Sequence, residues 1–184
     1  MKGIQKTTRI GSKVLEMLHW LAAALMLAGF ICSFAAKDWL AGLLEPAIAE
    51  NGFEIATYGF EVCVADSTGT LNMTALMLFF LGAFLVLNLM AMVFRNIHLM
   101  LKKCEGGSPF QKDNIRMLRE IGIFSIAVPV TGLLVNIVIR LAVGTDAVEA
   151  RVGMDGIIMG LIVLCLTQFF AYGAKLENDV DGLV

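Results

Sequence analysis

Residues 73–94 read MTALMLFFLGAFLVLNLMAMVF. Twenty-two residues pass without a charge, and Asn88 is the one side-chain amide among them. At about 1.5 Å per residue a helix of this length is about 33 Å long, enough to cross a hydrocarbon core of about 30 Å. A helix also satisfies its own backbone hydrogen bonds, which lipid cannot do for it.

Three further blocks share this character. Trp20 to Ala36 is entered through Val14 to His19, Ile121 to Ile139 follows the long polar stretch, and Gly156 to about Ala174 comes last. Together they explain why 58% of the 184 residues are hydrophobic, only 16% are charged, and the mean hydropathy is +0.80. An average soluble domain is nearer half apolar and a quarter charged. The expected fold is an all-α membrane protein of one domain, residues 1–184. It is a four-helix transmembrane bundle with a small extracytoplasmic β/loop insertion between helices 1 and 2. The spans are expected at about 14–36, 72–95, 118–141 and 153–174. Between them lie an external flap at 37–71, an internal loop at 96–117 and a tail at 175–184.

Charge sets the orientation. Lys2, Lys6, Arg9 and Lys13 precede the first block. Arg95, Lys102, Lys103, Lys112, Arg116 and Arg119 lie between the second and third, and Lys175 follows the fourth. The other side has only Lys37, Arg140 and Arg151. Basic residues mark the cytoplasmic face, so both termini are expected in the cytoplasm of a multi-pass protein. A cleaved signal peptide also begins with a basic stretch, an apolar run and small residues such as Ser33, Ala35 and Ala36. The run here is long for that and continues apolar from Trp39 to Leu44, so a retained span is expected.

Four cysteines give no disulfide framework. Cys32 and Cys165 lie in apolar blocks, Cys104 is expected inside, and Cys63 alone falls in an external segment. That external segment holds Asp38, Glu45, Glu50, Glu54, Glu61 and Asp66 against Lys37. Trp39-Leu40 and Leu43-Leu44 recur at helical spacing, which predicts a short interfacial helix stopped near Pro46. Phe53, Ile55 and Thr57, then Phe60, Val62 and Val64, alternate as strand residues do. Gly59 and Asp66-Ser67-Thr68-Gly69 supply turns. One or two short strands on the outer mouth of the bundle are expected, either as a sensing flap or as a lid that caps the helices.

In the internal loop, Gly106-Gly107 breaks the second helix near Cys104. Ser108-Pro109-Phe110-Gln111 then reads as a helix start, with Ser108 as cap and Pro109 at the first helical position. Lys112, Arg116 and Arg119 line a basic side. They suit anionic lipid headgroups or a cytoplasmic partner. In the third block Pro129 frees the Ser125 carbonyl and favours a kink beside Thr131 and Gly132.

Polar residues inside a bilayer are where function is first sought. Asn88 and Gln168 each lie seven residues from the inner charge of their helix, Arg95 and Lys175. Both are expected to face the bundle interior and to bond each other. Asn136, Arg140 and Asp155, with Arg151 nearby, are expected to cluster at the outer surface as structural pairing. Gly153, Gly156 and Gly160 give the fourth helix a face for close packing.

Two axial imidazoles can hold a haem. His19 and His98, however, sit beside basic residues at the interface, an ordinary place for histidine, and no cofactor is expected. No His-Glu-x-x-His, Gly-x-Ser-x-Gly or phosphate-loop motif occurs. The sequence therefore points away from an enzyme, a metal site or a nucleic-acid binder. Mid-membrane acids of a coupled pump are also missing.

The run Gly107-Ser108-Pro109-Phe110-Gln111-Lys112-Asp113-Asn114, followed by Arg116-Met117-Leu118-Arg119-Glu120-Ile121-Gly122, resembles a bacterial family catalogued as domain of unknown function 2975. The tail Lys175-Leu176-Glu177-Asn178-Asp179-Val180 is similar to that family's ending, although Asp181-Gly182 intervene before Leu183-Val184. The resemblance implies a four-helix protein of the bacterial cytoplasmic membrane without an assigned activity, often encoded beside a small helix-turn-helix regulator. It implies contact surfaces at Pro109, Phe110, Lys112, Asn114, Arg116 and Arg119, and at Glu177, Asn178 and Asp179. The expected partners are the lipid bilayer and such a cytoplasmic regulator, with a homo-oligomer as a further option. The competing reading is a small transporter or an immunity-type permease component.

Overall fold

The computed structural model describes residues 2–50, 53–65, 69–104, 108–144 and 154–181. Among them are five helices and one hairpin. In chain order these are α1 (Lys2–Ala35), α2 (Lys37–Ala49), β1 (Glu54–Thr57), β2 (Phe60–Cys63), α3 (Met73–Lys103), α4 (Lys112–Val143) and α5 (Met154–Asp181). Helices α1, α3, α4 and α5 are each long and apolar enough to cross a membrane. The chain reads as a multi-pass membrane protein built of helices with a two-stranded insertion.

The local signals explain most boundaries. Asn72 starts α3, its side-chain carbonyl accepting from the Thr74 and Ala75 backbone N–H groups at 3.0 and 3.1 Å. The expected stop of α2 at Pro46 is corrected, because the helix runs one turn further to Ala49. Proline removes only one hydrogen bond, the one to the Gly42 carbonyl, and the Glu50 N–H closes the last turn on the Pro46 carbonyl at 3.3 Å. The start of α4 is corrected too. It begins at Lys112, with Gln111 accepting the first bonds from Asn114 and Ile115 at 2.9 and 3.1 Å. Ser108 instead turns its hydroxyl onto the Phe110 N–H at 3.2 Å, which holds Pro109-Phe110 in a separate turn before the helix. The Gly106-Gly107 break, Arg151 and Gly153 lie outside the described residues.

The chain forms two compact units. The first comprises Met1–His19, Leu89–Ala127 and Asp155–Val184. The second comprises Trp20–Asn88 and Val128–Met154.

In the first unit, α4 and α5 run antiparallel with their backbones close. A side chain at Gly160 would lie 2.7 Å from the Gly122 carbonyl oxygen, and one at Gly122 would lie 2.8 Å from the Leu164 side chain. Lipid tails are as apolar as leucine, so helices in a membrane gain little from burying leucine against leucine. Close approach through glycine gives the dispersion contacts instead. Gly156, the other member of the small-residue pair, is half-buried.

In the second unit the hairpin is the centre of packing. β1 and β2 are antiparallel, with Ile55 opposite Val62 and Thr57 opposite Phe60 on one face, and Glu54 opposite Cys63 and Ala56 opposite Glu61 on the other. Phe60, Val62 and Val64 are buried. The Tyr58-Gly59 turn needs a left-handed residue, and Gly59 supplies it with φ +84°. Backbone bonds from Phe53 to the Ile48 carbonyl (3.0 Å) and from Val64 to the Phe53 carbonyl (2.7 Å) tie the hairpin to the end of α2.

Candidate functional site: a re-entrant hairpin and a loop–tail clasp

The hairpin does not rest on the outer mouth of the helices, as its sequence suggests. Its tip reaches well along them. A side chain added at Gly132 would lie 2.6 Å from the Gly59 carbonyl oxygen, and one added at Gly59 would lie 3.4 Å from Cα of Pro129. The Phe60 ring packs on Phe79 at 5.6 Å and fills the space beside Gly82, where a side chain would meet it at 2.8 Å. Gly132 lies eight residues before Arg140. That is about 12 Å of helix from the nearest charge of α4. Gly82 lies nine residues into α3, about 13 Å from its start.

Non-helical backbone at membrane depth is tolerated only where protein buries it or where it borders a water-filled space. Here the first condition is met on one face. The Phe60, Val62 and Val64 face is buried. The opposite face carries Glu54, which is exposed, and Glu61 and Cys63, which are half-buried. Pro129 sits at the seat of the hairpin, inside the unbroken span of α4.

Asn136 is one helical turn beyond Gly132. It is 1% exposed, and neither amide atom has a hydrogen-bonding partner. Arg140 and Asp155, expected to group with it, are exposed, while Asn136 is buried. On a helix, positions 136 and 140 share a side but differ by a turn in depth, so burial of one does not carry to the other.

The intramembrane amides also depart from expectation. The Asn88 side chain donates to the Phe84 carbonyl of its own helix at 2.7 Å. Gln168 is exposed, and its neighbour Thr167 takes the buried position, donating to the Val163 carbonyl at 2.9 Å. Spacing from Lys175 gives Gln168 a depth but not a face, and the buried face of α5 falls on Thr167 instead.

In the first unit, the candidate loop and tail residues come together as a clasp. Ser108 Oγ donates to Glu177 Oε2 at 2.7 Å. The Phe110 ring lies on Gly173, where a side chain would meet it at 2.7 Å, and against Phe170 at 5.5 Å. Buried Asn114 donates through Nδ2 to the Pro109 carbonyl at 3.3 Å and to Cys104 Sγ at 3.5 Å. It is a post for the loop rather than a free contact. Lys103 pairs with Asp113. Pro109, Lys112, Arg116 and Arg119 remain exposed, as do Glu177, Asn178 and Asp179.

A polar seam lines the same unit. Ser12, Glu16 and His19 are buried along one side of α1, with Lys13 on Glu16 at 3.0 Å. His19 Nδ1 bonds the Leu15 carbonyl at 2.7 Å, and its ring packs on Phe94 at 5.0 Å. His98 Nδ1 lies 3.2 Å from the Arg9 carbonyl. Asn96 donates to Glu120 at 3.0 Å. The sequence signal for this seam, polar residues at helical spacing in positions 12, 16 and 19, was overlooked beside the basic residues around it. Among the described residues no three of His, Cys, Asp and Glu gather as they would around a metal ion. No protein-family model, curated protein or solved structure matches the chain.

Proposed function

We propose that the chain is a membrane-embedded regulatory or sensory protein of the bacterial cytoplasmic membrane. In this reading the hairpin is its extracytoplasmic input, and the clasp is the cytoplasmic surface that holds a small helix-turn-helix regulator. The observation that carries it is the joining of loop and tail. Ser108 with Glu177, and Phe110 with Gly173, make one presented surface out of two segments 69 residues apart. Helix α4 carries the hairpin seat at Pro129 and Gly132 and the loop turn just before its first residue, so one continuous element serves input and output. The basic residues that flank the clasp support a cytoplasmic location for it, and the family resemblance suggests the kind of partner.

The test is photo-crosslinking in native membranes from reactive residues at Lys112 and Asp179. Capture of a small helix-turn-helix protein, lost on Lys112→Glu, supports the reading. Crosslinks confined to lipid and to the chain itself contradict it.

The unpartnered amide of Asn136 favours a second reading, a small transporter. There Asn136→Val abolishes solute flux in vesicles and leaves partner capture intact.

A further inference from the structure

We propose that Arg116 and Arg119 form a binding surface for the headgroups of anionic glycerophospholipids. These two arginines are also among the contact residues that the family resemblance implies, and the lipid proposal is tested independently of any regulator.

The argument is one of depth. In the first unit α3 and α4 change from apolar to charged at one level, with His19 of α1 beside it. His19 of α1 stacks on Phe94 of α3, the last residue before Arg95. Asn96 of α3 bonds Glu120 of α4, the last charge before the apolar run from Ile121. This level marks the edge of the hydrocarbon. From Glu120, Arg119 lies about 1.5 Å outward along the axis, Arg116 about 6 Å and Lys112 about 12 Å. The headgroup layer is roughly 5 to 7 Å thick on each side. Arg119 and Arg116 therefore fall within it, and Lys112 falls beyond. Antiparallel α5, with Leu164 beside Gly122, places one exposed aromatic side chain, Phe169, in the same layer, where such rings gather.

Charge completes the argument. The acids near these arginines are engaged. Asp113 is held by Lys103, and Glu120 takes one bond from Asn96 and a contact with Arg116 at 3.6 Å. Arg119 has no ion pair among the described residues and is exposed. Positions 116 and 119 are neighbours on one helix face. The planar guanidinium fork matches two oxygens of a phosphodiester, as an ammonium does not. Arg116 shares its charge with Glu120, and the Arg119 fork beside it, at phosphate depth and without an ion pair among the described residues, fits a lipid with net negative charge.

The test uses the full chain released from mixed phosphatidylglycerol and phosphatidylcholine bilayers, with retained lipid counted by native mass spectrometry. Wild type is expected to retain phosphatidylglycerol preferentially. Arg116→Gln with Arg119→Gln should weaken the preference roughly thirtyfold, and Arg119→Gln alone about fivefold. Lys112→Gln should leave it unchanged. Equal retention of both lipids by wild type overturns the proposal, and so does a preference that is undiminished in Arg119→Gln. Loss in Lys112→Gln as large as in Arg119→Gln also overturns it, since a diffuse basic field would then suffice. The single variant keeps the test decisive if the double variant does not fold.

Discussion

The hairpin unit and the basic-end unit hold their non-helical segments by opposite means. At the hairpin, backbone is pressed on backbone: the Gly59 carbonyl against Gly132, and Phe60 into the space left by Gly82. At the basic end, side chains do the work through Ser108, Glu177, Asn114 and the Lys103–Asp113 pair. The difference follows from the surroundings. Deep in lipid a loose polar bond has no water to fall back on, so a segment is secured by close packing and by absent side chains. At the surface water competes for every bond, so a clasp of hydrogen bonds can hold a segment and also release it.

Four substitutions would break or sharpen this contrast. Phe60→Ala should destabilise the most, by about 3 to 4 kcal/mol, because it empties the space against Phe79 and Gly82. Reversible unfolding in mixed micelles reads it, and a loss below about 1 kcal/mol would mean the hairpin is only draped on the helices.

Gly132→Leu comes next, at about 2 to 3 kcal/mol, since it adds bulk where the Gly59 carbonyl already sits. Labelling of Cys63 should quicken in the same variant as the hairpin is lifted. Unchanged labelling would speak against the seat.

Asn136→Val goes the other way. An unpartnered buried amide costs stability, so its removal should raise stability by about 1 kcal/mol. A comparable loss would show that the amide is bonded in the membrane.

The smallest effect belongs to Ser108→Ala, about 0.5 to 1 kcal/mol, confined to the tail. Hydrogen exchange should quicken around Glu177 and leave β1 and β2 untouched. Global unfolding at a lower midpoint would instead make the clasp a structural bond.

Much of this was legible in the residues, and the gaps have physical causes. Charge-free runs announced the four long helices, and the alternation of Phe53 to Val64 announced the strands. The depth of the hairpin was not legible. It depends on Gly82 and Gly132 being opposite Phe60 and Gly59, and a glycine in an apolar helix gives no sign of what approaches it. The helix starts three residues after the expected Pro109 because the Ser108 hydroxyl serves Phe110 and Glu177, the latter far off in sequence. The outward face of Gln168 was not legible, because distance to a charge gives depth along a helix and not the side on which a residue lies.

The re-entrant seat is the central claim, and magic-angle-spinning NMR of the chain in bilayers tests it most directly. A dipolar cross-peak between the Gly59 carbonyl carbon and Gly132 Cα, together with one between the Phe60 ring and the Val135 methyl groups beside Gly82, is the predicted result. Both cross-peaks missing while the β1–β2 pairing of Thr57 with Phe60 persists would contradict the account, because the hairpin would then exist without its seat.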